Sequence, residues 1–121
     1  MSIRMNLKWA LSPVPEKQAL VCRLKGKLIG NAEGYEFLEG VRDEVAAGVL
    51  HVILDFEGLT MVNSAGLGIL ASVYTSTKKR QGTTSFAAVS ENLQRLMKVS
   101  HLADFVTETA TVDEALEKIP G

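Results

Sequence analysis

Within Val62-Asn63-Ser64-Ala65-Gly66-Leu67-Gly68-Ile69-Leu70-Ala71 a hydroxyl, an amide and two glycines lie within a few residues of one another. Three chemistries use such a set. The first is dinucleotide binding: Gly66-Leu67-Gly68-Ile69-Leu70-Ala71 fits G-x-G-x-x-G/A, and Glu91 follows at about the right distance for a ribose-binding acid. That chemistry needs its glycines in the tight turn directly after a strand, where backbone approaches pyrophosphate. Here the preceding apolar run ends near Phe56, and a loop plus Asn63-Ser64-Ala65 intervene. The glycines therefore fall inside the first turn of a helix, where close packing on a sheet accounts for Gly66 and Gly68. No nucleotide or other cofactor is expected.

The second chemistry is nucleophilic hydrolysis. A nucleophile elbow needs G-x-S-x-G, because small residues on both sides permit its strained turn; around Ser64 the first of these positions is Val62. The candidate bases are His51, inside a strand, and His101, after a helix, and nothing in their spacing brings either to Ser64. No Cys, His or Asp cluster has metal-ligand spacing, and the pairs Asp43-Glu44 and Asp113-Glu114 read as solvated helix faces. The third chemistry is phosphate acceptance. Ser64 lies at or beside the first position of a helix, where free N–H groups and the positive end of the helix dipole favour an anion. Capping of the same helix by Ser64 or Asn63 explains these residues equally well, and the two roles are compatible.

The elements that must position this stretch are legible from periodicity. Ile3, Met5, Leu7 and Trp9 alternate with polar residues as a strand, which Ser12-Pro13-Val14-Pro15 breaks. A second strand covers about Gln18 to Leu28, antiparallel to the first because the connection is short. Asn31 caps a helix to about Ala47 with Phe37, Leu38, Val41 and Val45 inward, and Gly48 stops it. Leu50 to Phe56 is nearly continuous in apolar residues, which suits a strand covered on both faces. A loop from Glu57 to Val62 leads to the helix at Ser64, with Leu67, Leu70, Ala71 and Tyr74 as its buried face. Lys78, Lys79 and Arg80 meet the negative end of its dipole and Gly82 ends it. A strand at Thr84 to Val89, a short helix after Ser90, a strand at Phe105 to Glu108 and a helix after Thr111 with Glu114 in a capping box complete the chain. The order is β-β-α-β-α-β-α-β-α, an α/β domain with a mixed sheet.

Composition narrows the function. The chain has 121 residues, 46% apolar and 22% charged, which sustains one core without disulfide or metal. A net charge of -1 supplies no general attraction to nucleic acid or an anionic membrane. Cys22, in an apolar run, reads as a buried reduced thiol. No run approaches a membrane span and the first residues lack a signal-peptide core, so no membrane insertion and a cytoplasmic location are expected.

Gly26-Lys27-Leu28 ending the second strand, Asp55 closing the third and Asn63-Ser64-Ala65-Gly66-Leu67-Gly68 opening the second helix resemble the STAS domain, and more closely the bacterial anti-sigma-factor antagonists. Element order agrees from about Leu7 to Leu116. The resemblance implies a single STAS domain over residues 1–121, core about 3–119, with a mixed, mostly parallel sheet of about five strands packed with about four helices. It implies that Ser64 accepts phosphate from a serine kinase that is itself the anti-sigma factor. The unphosphorylated antagonist binds this kinase and frees the sigma factor; phosphorylation separates them and a serine phosphatase reverses the step. The antagonist is then substrate and ligand rather than enzyme, a monomer or weak dimer. Docking residues implied are Asn63, Ser64, Ala65, Gly66 and Leu67, with Gly30 and Asn31 nearby. Two positions depart from the family: Asn63 stands where Asp is common, and Ile29 where an acidic residue often follows G-x-L. The alternative is a STAS scaffold or transporter-associated subunit that binds a protein without phosphorylation.

Overall fold

The computed structural model describes residues 6–120. Its elements are β1 (Leu7–Val14), β2 (Ala19–Leu28), α1 (Ala32–Ala46), β3 (His51–Val62), α2 (Ser64–Lys78), β4 (Thr83–Ala87), α3 (Glu91–Val99), β5 (Thr107–Thr109) and α4 (Val112–Glu117), with short 3-10 turns at Pro15–Lys17 and Leu102–Asp104. This is the order that periodicity predicts. The strands lie side by side as β1-β2-β3-β4-β5, β1 antiparallel to β2 and every later pair parallel. Right-handed crossovers between successive neighbours put each connecting helix on the same face of the sheet. Phe37 and Val41 of α1, Leu70 and Val73 of α2, and Met97 of α3 accordingly share one core with Leu20, Leu24, Leu54 and Phe86. α4 follows the last strand and closes the other face, where Ala115 and Ile119 pack on Ala19, Val21, Ile53 and Ala87. Two covered faces explain the unbroken apolar run in β3.

Three expected boundaries change. The first strand does not end at Ser12, and its expected beginning at Ile3 and Met5 lies outside the described residues. Lys27 N–H donates to the Asn6 carbonyl, so alternation along the antiparallel ladder turns the backbone of Lys8, Ala10 and Ser12 toward β2 and that of Leu7, Trp9, Leu11 and Pro13 to the free edge. Pro13 lacks an N–H only where the ladder has no partner for it, and β1 continues to Val14.

The expected loop from Glu57 to Val62 is strand. β3 pairs with β4 only to Asp55↔Ala87, but it continues along β2 to Val62↔Leu28 through register shifts between Arg23 and Lys25 and between Gly26 and Lys27. At each shift β3 contributes one more residue than β2, and Glu57 to Val62 overhang the rest of the sheet. Asp55 fixes the start of this overhang: one carboxylate oxygen accepts from Glu57 N–H at 3.0 Å, and the other lies 3.8 Å from Arg23 Nε.

The last strand is Thr107–Thr109 rather than Phe105 to Glu108. Phe105 stays outside it, 59% exposed, with its ring 5.6 Å from that of Tyr74. The buried face of α2 is also rotated from expectation: Gly66, Ile69, Leu70, Val73 and Thr77 are inward, Leu67 and Tyr74 are half-buried, and Ala71 is exposed. From Ala65 to Ala71 the helix carries only apolar residues and glycine, so the local pattern there does not select the face that the sheet takes.

Candidate functional site

β2, β3 and β4 each deliver a helix N-terminus at the same edge of the sheet, and each helix is capped by a side chain: Asn31 on Gly34 N–H, Asn63 on Gly66 N–H and Ser90 on Leu93 N–H. This carboxyl edge is where open α/β sheets bind other molecules. The overhang of β3 carries the α2 N-terminus outward until it lies beside the β2–α1 loop.

Asn63, not Ser64, is the cap. Its Oδ1 accepts from Gly66 N–H at 2.9 Å, its Nδ2 donates to the Ile29 carbonyl at 3.2 Å, and its backbone N–H donates to the Leu28 carbonyl at 3.4 Å. Ser64 is the first helical residue, its side chain is exposed, and among the described residues no hydrogen bond engages its hydroxyl. The capping role therefore belongs to Asn63, and the serine oxygen faces solvent at the positive end of a helix dipole.

The loop is seated directly on this turn. Gly30 has φ +79°, and a Cβ placed on it would lie 2.6 Å from Ala65 Cβ. A Cβ on Gly66 would lie 2.0 Å from the Leu28 carbonyl oxygen, so this glycine lets α2 touch the backbone of β2. Gly68 differs from expectation: nothing lies within 4 Å of the corresponding position, and close packing does not explain it. Of the expected docking residues, Asn63, Ser64 and Ala65 are exposed, Gly30, Asn31 and Leu67 half-buried, and Gly66 buried.

Two grooves begin within three residues of the serine, one at Val62 and one at Leu67. Between the β3 overhang and α3 lies a groove of about 380 Å³ lined by Leu59, Met61, Val62, Asn92 and Leu96. Along α2 a second, also of about 380 Å³, is lined by Leu67, Ala71, Tyr74, Leu102 and Phe105. Tyr35, Met61 and Leu96 are 53%, 48% and 38% exposed, and sequence reasoning missed all three. Periodicity tells which face of an element is apolar, not which apolar side chain its neighbours leave uncovered.

Groups able to do other chemistry lie elsewhere. His51 begins β3, at the opposite end of the strand from Ser64, and its Nδ1 is 2.8 Å from Thr83 Oγ1; burial pushes its pKa below the ordinary value. His101 pairs with Asp104 at 3.4 Å. Cys22 is fully buried, and burial, with a smaller contribution from the Glu44 charge, raises its thiol far above the usual range. Among the described residues no group of His, Cys, Asp or Glu is placed to hold a metal ion, and no helix is long and apolar enough to cross a membrane.

The sheet is thus mixed and five-stranded, with three helices on one face and a fourth on the other. The family model for the STAS domain matches residues 13–115, and the chain belongs to that family. It is similar to an anti-sigma-factor antagonist from Mycobacterium paratuberculosis, with TM-score 0.79, 18% identity and 98% of each chain covered. It is also similar to the Bacillus cell fate determinant SpoIIAA in its phosphorylated form, with TM-score 0.68, 22% identity, and 92% of this chain and 98% of that one covered. A sulfate transporter family protein from Wolinella succinogenes matches with TM-score 0.68 and 19% identity over 88% of this chain and 87% of that one. At these identities the likeness is one of fold.

Proposed function

We propose that this STAS protein is an anti-sigma-factor antagonist that works by partner switching. Unphosphorylated, it binds an anti-sigma factor serine kinase; phosphorylation of Ser64 releases it, and a serine phosphatase resets it. It acts as ligand and substrate, without catalysis or cofactor. The observation that carries this reading is the exposed Ser64 hydroxyl, free of the capping role that Asn63 fills, on a turn flanked by uncovered apolar side chains. The fold likeness to a phosphorylated antagonist supports it.

A phosphate on Ser64 adds about -1.5 to -2 charges at neutral pH. The helix N-terminus tolerates that charge, so the fold changes little. A partner closing over the turn must instead desolvate it, at a cost of several kcal/mol unless a cation matches it. Ser64→Ala should bind the kinase constitutively and Ser64→Glu at least ~tenfold more weakly, a difference of about 1.4 kcal/mol, with both folded by circular dichroism. Affinity purification from native extract, with mass spectrometry of the captured protein and of Ser64, checks the assignment. Phosphate on another residue, or on none, would replace it with the scaffold or transporter-associated reading. Asn63 in place of the family's common Asp and the likeness to a sulfate transporter family protein favour that second reading.

A further inference from the structure

The Asn63 carboxamide faces two elements at once. Gly66 N–H requires an acceptor, so the atom 2.9 Å from it is the oxygen, and the orientation of the amide follows. Nδ2 is then turned to the β2–α1 loop, where it donates to the Ile29 carbonyl at 3.2 Å. Two residues further on, Asn31 caps α1 by accepting from Gly34 N–H at 3.1 Å. One side chain thus links the starts of two helices. The link needs a donor and an acceptor about one carboxamide apart; a carboxylate has only acceptors, and a serine hydroxyl caps a helix but is shorter.

We infer that Asn63 is a positioning residue: it holds Gly30-Asn31 against the Ser64 turn, so that loop and turn meet a partner as one surface. The inference rests on the proposed role of Ser64 for its functional meaning, but its test is read in the free protein. Asn63→Asp and Asn63→Ser both keep an acceptor for Gly66 N–H and lose the donor to Ile29, one with added charge and one without. Amide hydrogen exchange followed by NMR reports the result.

The amides of Gly34 and Tyr35, which donate to Asn31, should exchange at least ~threefold faster in both variants, the loss expected for one net hydrogen bond. The reference is the amide of Gln94, which bonds to Ser90 in the first turn of α3 and shares no hydrogen-bond partner with residue 63. Gly66 should keep its protection. A merely structural loss would speed Gly34, Tyr35 and Gln94 alike. That uniform result, no change in either variant, or a change in Asn63→Asp alone would overturn the inference, the last because charge and not the lost donor would be the cause. Should the Asp variant fail to fold, Asn63→Ser alone decides. Failure of Ser64 as the docking point shows in partner binding and failure of the link in these amides, so the two are told apart.

Discussion

At the C-terminal end of α2, the fully buried Thr77 hydroxyl lies 2.7 Å from that of Thr84 and 3.0 Å from the Tyr74 carbonyl. Gly82 N–H donates to the Thr77 carbonyl at 2.8 Å and Thr83 N–H to that of Leu50 at 2.9 Å. At the N-terminal end the helix sits as close to backbone, through Gly66 on Leu28, yet the Ser64 hydroxyl is exposed and unengaged, with Met61 and Tyr35 in solvent nearby. Tight backbone packing is common to both ends, but satisfaction of the side-chain hydroxyl is not. The satisfied, buried end holds the domain together; in the function proposed above, the Ser64 end is the one against which a partner docks.

The two tight glycines give the strongest way to sharpen this contrast. A Cβ on Gly82 would lie 1.8 Å from the Leu50 carbonyl oxygen, and one on Gly66 2.0 Å from that of Leu28. Both atoms struck are backbone, which no rotamer change relieves. Gly82→Ala should cost about 3 kcal/mol, the upper end of ordinary overpacking. Gly66→Ala should cost about 2 kcal/mol, since alanine regains about 1 kcal/mol of helix propensity within α2. Chemical denaturation checks both. Partner binding by the folded fraction should survive Gly82→Ala and fall with Gly66→Ala, which displaces the Ser64 turn. Loss of binding in Gly82→Ala with the fold intact would erase the distinction between the two ends.

The same contrast explains how much the sequence disclosed. Element order, the caps at Asn31, Ser90 and Thr111 and the helix opening at Ser64 depend on local residue types, and all are present in the structure. The strand character of Glu57 to Val62 depends on two register shifts against β2, a long-range pairing that leaves no local pattern. Pro13 reads as a breaker until the edge position of β1 is known. Of the site, the motif itself was legible, but the seating of Gly30 on Ala65, the bridge from Asn63 to Ile29 and the exposure of Tyr35, Met61 and Leu96 arise only once separate elements meet.

Gly68 gives a smaller effect of opposite sign. It lies two residues beyond Gly66 on the same helix, but it is exposed and its missing Cβ faces open space. Gly68→Ala should therefore stabilise the protein by about 0.5–1 kcal/mol through helix propensity. A lower denaturation midpoint would mean that the groove along Leu67 and Phe105 is tighter than its geometry, and that α2 is packed on both sides of Ser64.

The smallest effect is a pH dependence at the structural edge of the sheet. Burial lowers the His51 pKa below its ordinary 6.5, while the unfolded chain keeps that value. Between the two values the unfolded state binds the proton and the folded state does not, so this contribution to stability is intact above about pH 6.5 and is lost as pH falls through the folded pKa. His51→Gln removes the titration and leaves every carboxylate unchanged. The difference in denaturation midpoint between wild type and variant should therefore be constant from about pH 8 to 7 and shift against the wild type on the way to about pH 5. Because His51 is only partly buried, between exposed and core residues, the shift should be modest. Parallel curves across the whole range would show that the imidazole is as well solvated as an exposed one. The edge at His51 would then be as open to water as the edge at Ser64, and burial would no longer separate the two.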